Sequence, residues 1–173
     1  MRALLDPNEP IGLRGSVWSR GFACDLVEEA NRLVALSNEE LPGDEQRIDL
    51  THLATYSLDD AGTREIDDAL SLERRDGVNW IWIHIADPSR LIDIDSPLDQ
   101  EARRRATSLY LAEGVMPMLP LELAAGPLSL RAGQRCAALS VAVRLDDDGA
   151  VGEQRIVRSW IRPRYGLTYA DGD

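Results

Sequence analysis

From Leu70 to Ala86 the hydrophobic period of the chain is two, and this stretch restricts the fold more than any other. Leu70-Ser71-Leu72-Glu73 alternates, Arg75-Asp76-Gly77 has the composition of a tight turn, and Trp80-Ile81-Trp82-Ile83-His84-Ile85-Ala86 alternates again, so the segment predicts a β-hairpin. In an extended strand Ile81, Ile83 and Ile85 share one face while Trp80, Trp82 and His84 share the other. Both faces are apolar or aromatic, and the strand is expected to be central and covered on both sides.

A second hairpin is expected from Ala137–Leu145 and Ala150–Ile161, joined by Asp146-Asp147-Asp148-Gly149. That acidic turn lacks the further ligands and terminal Glu of a calcium loop. Leu26, Ala30, Leu33, Val34 and Leu36 repeat at helical spacing and predict a helix over about 25–38, with Asp25 as cap and Glu28 completing a capping box. Leu98, Ala102, Arg105, Ala106 and Leu109 predict another over Asp99–Leu111. Pro117, Pro120 and Pro127 break the stretch from Val115 to Leu130 into an ordered loop with a short helical turn near Leu121–Ala124. The expected class is α+β, a mixed, largely antiparallel sheet with helices. Breaker-rich residues 37–44 divide the chain into a lead-in of residues 1–46, whose first 23 receive no chemistry, and a main unit of residues 47–173.

The net charge is −11, from 19 basic residues, all arginine, and 30 acidic ones. A self-sufficient electrostatic binder of nucleic acid carries the opposite balance, so the acids are either a solvated surface or partly gathered around a cation. Trp80–Ala86 is too short to span a membrane and no secretory leader is visible, which suggests a cytoplasmic protein without a membrane partner. Cys24 and Cys136 have no metal-ligand spacing and read as two reduced, mostly buried thiols.

The acids are densest between residues 59 and 68, where Asp59, Asp60, Glu65, Asp67 and Asp68 lie within a framework of Leu58, Ile66, Ala69 and Leu70. Carboxylates held together on an apolar scaffold repel one another unless a hard divalent cation such as magnesium neutralises them. The other reading of the same residues is a polar loop entering a strand, with Asp60 and Arg64 solvated. His84 reads as a hydrogen-bonded core or supporting group, and His52 has no partner at catalytic spacing. Tyr110 and Trp82 are aromatic candidates for base stacking, or else core.

Asp49-Leu50-Thr51, Leu58-Asp59 and Thr63-Arg64-Glu65-Ile66-Asp67-Asp68-Ala69-Leu70-Ser71 resemble the opening signature of the RNB catalytic domain of the ribonuclease II and ribonuclease R exoribonucleases. The resemblance continues through His84-Ile85-Ala86-Asp87-Pro88-Ser89, Tyr110-Leu111, Met116-Pro117-Met118-Leu119-Pro120, Leu128-Ser129-Leu130 and Leu167-Thr168-Tyr169. It implies magnesium-dependent 3′→5′ hydrolysis of single-stranded RNA to nucleoside 5′-monophosphates. It also implies that Asp59, Glu65, Asp67 and Asp68 form a catalytic, metal-binding set. Asp59 and Asp68 would hold magnesium, Asp67 and Glu65 would complete the shell around the attacking water and a second cation, and Tyr110 would stack on a nucleotide near the RNA 3′ end. Glu65 stands where the family has Asp, which keeps the charge and adds one methylene. An RNB domain is more than twice as long as residues 47–173, and its later part supplies a phosphate-facing arginine and further stacking aromatics. The chain therefore resembles the N-terminal part of such a domain, and two functions are expected from it. One is an exoribonuclease, incomplete in this chain. The other is a catalytically silent module that binds RNA or protein, with self-association or a companion chain covering exposed apolar surface.

Overall fold

The computed structural model describes residues 21–111, 114–146 and 148–171. The first 20 residues of the lead-in and Asp147 of the acidic turn lie outside them. Seven strands form one sheet in the order β1-β8-β7-β4-β3-β2-β9, comprising β1 (Ile48–Asp49), β2 (Thr55–Asp59), β3 (Asp68–Arg75), β4 (Val78–Ala86), β7 (Cys136–Leu145), β8 (Val151–Ile161) and β9 (Pro163–Thr168). The β1/β8 and β2/β9 pairs are parallel and the other four are antiparallel, so the sheet is mixed and largely antiparallel as expected. A separate two-stranded ribbon pairs β5 (Leu109–Leu111) with β6 (Gly114–Met116). Three helices, α1 (Cys24–Leu36), α2 (Pro97–Arg105) and α3 (Leu121–Ala124), complete the α+β architecture.

Both hairpins form. Asp76 and Gly77 take left-handed φ values of 51° and 80°, the conformation that a two-residue turn needs to match the twist of β3 and β4. β4 lies fourth of seven strands and is central. It is covered on one face only, contrary to expectation: Trp82 and His84 are buried, whereas Ile83 and Ile85 are 37% and 47% exposed. The open face extends across the sheet, because the registers place Tyr165, Tyr56, Leu70, Ile83, Val141 and Ile156 in one row over six strands. Alternation shows that both faces of a strand are apolar; it does not supply a layer to cover each of them.

The covered face carries a polar seam. Ser71 Oγ lies 2.8 Å from His84 Nε2, His84 Nδ1 lies 2.7 Å from Ser140 Oγ, and Ser140 Oγ lies 2.6 Å from Ser159 Oγ, all in the interior. His84 is the hydrogen-bonded core residue anticipated, and Trp82, whose Nε1 donates to Glu73 at 2.9 Å, is core as well. Burial disfavours the imidazolium and lowers the His84 pKa to about 4. The unfolded chain therefore binds a proton that the folded chain refuses between about pH 6.5 and pH 4. The stabilising effect of neutral His84 is complete above pH 6.5 and is lost as the pH falls through that window. The parent should lose about 3 kcal/mol more than His84→Gln between these pH values, measured by urea unfolding; parallel pH profiles would contradict this.

The buried apolar side chains form two separate clusters. Leu50, Ala69, Trp82, Leu130, Ala138 and Ile161 fill the covered face, while Leu26, Ala30 and Leu33 of α1 pack with Leu91, Leu98, Leu123 and Leu128. An ionic clamp joins residues 44–47 to residues 87–90. Arg47 Nη2 reaches Asp87 at 2.6 Å, Arg47 Nε reaches Asp44 at 3.3 Å, and Arg90 Nη2 reaches Asp44 at 2.8 Å. The guanidinium groups of Arg47, Arg90 and Arg135 all lie within 5.4 Å of the centre of the Trp160 ring.

Three local expectations are corrected. The α1 N-cap is Ala23, with no side-chain cap, and Asp25 sits in the first turn, so the capping box does not form. There Asp25 still opposes the positive end of the helix dipole. Helix α2 stops at Arg105 because Ala106 turns left-handed at φ 65°, and Leu109–Leu111 leaves the helix to pair as β5. Ser96 caps α2 by accepting from the Asp99 N–H. Both cysteines are free thiols as expected, but only Cys136 is buried, which pushes its pKa up to about 11; Cys24 is exposed. Among the described residues no helix is long and apolar enough to cross a membrane.

Candidate active site

The carboxylate signature occupies the junction between two antiparallel neighbours. β2 ends at Asp59, residues 60–67 are irregular, and β3 begins at Asp68. The loop turns through the Thr63 N–H donating to the Asp60 carbonyl at 2.9 Å. It is tied to the body of the protein at its far end, where the Ala86 N–H donates to Asp67 O and the Leu130 N–H donates to Ile66 O, both at 2.8 Å. Asp68 points to the open sheet face, in register with Ile85, whereas Asp67 and Glu65 line a cleft of about 210 Å³ with Ile85, Ala86, Ser108 and Leu128.

The acids sense one another. Burial and then the charges of Asp68 and Asp60 push the Asp59 carboxyl up, and burial and then Asp59 and Asp68 do the same for Asp67. Glu65 is raised by burial and by Asp67, against a smaller opposing effect from Ser108. Ser108 Oγ donates to Glu65 Oε2 at 3.4 Å, and Glu65 Oε1 is buried with no hydrogen-bond partner. The ordinary alternative, a solvated polar loop, describes the exposed Asp60, Arg64 and the outer part of Asp67, but not the half-buried Asp59 and Glu65.

A buried, unpartnered carboxylate oxygen beside carboxylates that disfavour their own charge suits a hard divalent cation. The donors are all carboxylate oxygens, the set preferred by such ions. Even so, among the described residues no three His, Cys, Asp or Glu side chains converge in ligand geometry. The fold gathers Asp59, Glu65, Asp67 and Asp68 into one electrostatic neighbourhood without closing them on a single point.

Tyr110 stands beside this group on the β5–β6 ribbon. It is 64% exposed and borders a cleft of about 440 Å³ with Asp60, Gly62, Thr63, Arg64 and Glu65. Its hydroxyl pKa is raised first by partial burial and then by the charges of Glu65, Asp67 and Asp59, which places the ring next to the acids. An open aromatic face at that position can stack on a base. Inspection of the acidic signature alone misses the two hydroxyls that support it, Ser108 and Ser129. Only the Leu128-Ser129-Leu130 block of the family resemblance pointed to the second.

Residues 47–173 match the RNB domain, and the chain belongs to this family. It is 48% identical over 167 residues to an uncharacterized ribonuclease of Synechocystis sp., covering 96% of this chain and 25% of that protein. It is 50% identical over 125 residues to ribonuclease II, chloroplastic/mitochondrial, of Arabidopsis thaliana, covering 72% of this chain and 16% of that one. The chain thus spans a quarter or less of the length of these relatives. Among solved structures, Mycoplasma genitalium RNase R in complex with ribose-methylated single-stranded RNA superimposes with a TM-score of 0.75 at 23% identity, over 86% of this chain and 23% of that one. Yeast Ssd1, a pseudonuclease, shares the fold with a TM-score of 0.67 at 20% identity, over 83% of this chain and 21% of that one.

Proposed function

We propose that this chain carries the metal-binding acids of a magnesium-dependent exoribonuclease that shortens single-stranded RNA from its 3′ end and releases nucleoside 5′-monophosphates. The observation that carries this reading is the buried, unpartnered Glu65 oxygen beside the Asp59 and Asp67 carboxyls, each raised by burial and by neighbouring carboxylates, within a family whose relatives are named ribonucleases. Asp59 and Asp68 hold the cation in this reading, and Asp67 and Glu65 orient the attacking water and hold a second cation. Magnesium supplies Lewis acidity at the scissile phosphate and a more acidic water. Tyr110 stacks on a nucleotide near the RNA 3′ end and places the last phosphodiester over the acids. The reading includes the division at residue 46, a cytoplasmic location, and weak activity of residues 1–173 alone. In the family that this sequence resembles, a phosphate-facing arginine comes from the later part of the domain, and losing such stabilisation costs about 10²–10³ in rate.

The test is a 5′-labelled single-stranded RNA incubated with the protein and magnesium. Stepwise shortening from the 3′ end that EDTA abolishes is the expected result. Internal cuts, or shortening that survives EDTA, would overturn the reading. A second reading is a silent module that binds RNA or protein, and the open apolar face of the sheet favours it. It predicts no cleavage, no thermal stabilisation by magnesium, and a sedimentation mass above the 19.2 kDa monomer as that face pairs with a second copy or companion chain.

A further inference from the structure

The carboxylate loop is held by a residue more than sixty positions away. Ser129 is fully buried, and its Oγ accepts from the backbone N–H of Ile66 at 3.0 Å while donating to the carbonyl of Arg64 at 3.3 Å. With the Leu130 N–H bonded to Ile66 O, both polar backbone groups of Ile66 are tied to the 129–130 segment. Ile66 separates Glu65 from Asp67, so the two acids leave the chain on either side of a fixed residue.

Ser129 is itself held rigidly. Its N–H donates to Gly126 O at 3.1 Å, and its carbonyl accepts from the Arg131 N–H at 2.9 Å. The segment approaches α3 so closely that a Cβ on Gly126 would lie 2.1 Å from Glu122 O. The surroundings include Leu130 and Cys136, where an alanine would be equally at home. A hydroxyl there is costly unless it is bonded. Only a side chain that donates and accepts at once can bridge the Arg64 carbonyl and the Ile66 N–H, and Ser and Thr are the small residues that do so.

We propose that Ser129 is a positioning residue for the acidic cluster, its hydroxyl setting the backbone of residues 64–66 so that Glu65 and Asp67 face one cleft. The inference rests on the metal reading given under Proposed function, which it deepens by naming what holds the ligands. Partners of this kind typically change metal affinity by about 10–100-fold when removed.

The experiment compares the parent, Ser129→Ala and Ser140→Ala by magnesium titration followed through thermal stability, and by amide exchange at Ile66. Ser140 is equally buried but belongs to the His84 seam, so it controls for the loss of a buried hydroxyl. The expected result for S129A is Ile66 exchange faster by about tenfold or more and a magnesium midpoint about tenfold higher, with both unchanged in S140A. Should S129A fail to fold, Ser129→Thr and Ser129→Val share a shape and differ in the hydroxyl. Only S129T should then keep the parent's magnesium midpoint and slow exchange. Parent-like magnesium binding in S129A or S129V overturns the proposal, as does equal weakening in S140A. A parent that ignores magnesium removes the metal reading instead, and unchanged Ile66 exchange in S129A would then refute the clamp itself.

Discussion

Asp67→Asn should lower the rate of magnesium-dependent RNA shortening by about 10²–10³-fold and, in magnesium-free buffer, raise the thermal midpoint. The two effects have one cause. Partial burial and the charges of Asp59 and Asp68 disfavour the ionised Asp67, so near neutral pH the folded protein is destabilised by the charge that the proposed chemistry requires. The amide keeps the shape and removes the charge, which relieves that repulsion and deletes a cation ligand. In pH terms the raised pKa means that the folded state binds the proton more tightly than the unfolded one. The penalty is therefore present above the folded pKa and disappears as the pH falls through it to the unfolded value. Adding magnesium should reverse the order of the two midpoints, because the parent then gains a ligand that the variant binds poorly. An unchanged rate in D67N would remove Asp67 from the site. A lowered midpoint in metal-free buffer would show that repulsion does not govern the loop.

The largest expected loss of stability comes from Asp87→Ala. Arg47 has only 3% of its side chain exposed, and Asp87 is its 2.6 Å partner. Burial alone would raise the Asp87 carboxyl, but hydrogen bonds from Ser89 and Arg47 outweigh it and hold the pKa below the ordinary range. Removing the acid leaves a guanidinium in the interior with Asp44, at 3.3 Å, as its remaining carboxylate, and Asp44 is already shared with Arg90. Breaking a buried pair from one side typically costs about 3–5 kcal/mol, a large share of the stability of a domain of this size. A urea titration reads this directly. Arg47→Met in the D87A background should recover part of the loss, since the stranded charge is what hurts; an equal or greater loss in the double variant would show that it is not.

The residues that were legible in the sequence are those whose physics is local. Asp76-Gly77 between two period-two runs defines the β3–β4 turn, and three prolines confine α3 to one turn, because backbone preference at those positions outweighs distant packing. The break at Ala106 was not legible. Ala102, Arg105, Ala106 and Leu109 keep helical spacing straight through a left-handed residue, and residues 109–111 leave the helix to pair with residues 114–116. The one-sided cover of β4 was hidden for a related reason, since Ile83 and Ile85 look as buried in sequence as Trp82 does. At the candidate site the acids and Tyr110 were named from the signature and its family likeness, and the structure sets them side by side. Ser129 was named only as part of the Leu128-Ser129-Leu130 block, with no role, because its contribution depends on a contact across more than sixty residues.

The unequal burial of the two cysteines makes the molecule convenient to label. A maleimide reagent at neutral pH should react with Cys24 at the start of α1 and spare Cys136, whose thiol stays protonated in the interior. The absence of lysine leaves amine-reactive dyes no side chain to attack. A single fluorophore or spin label can therefore be placed at the start of α1 without mutation.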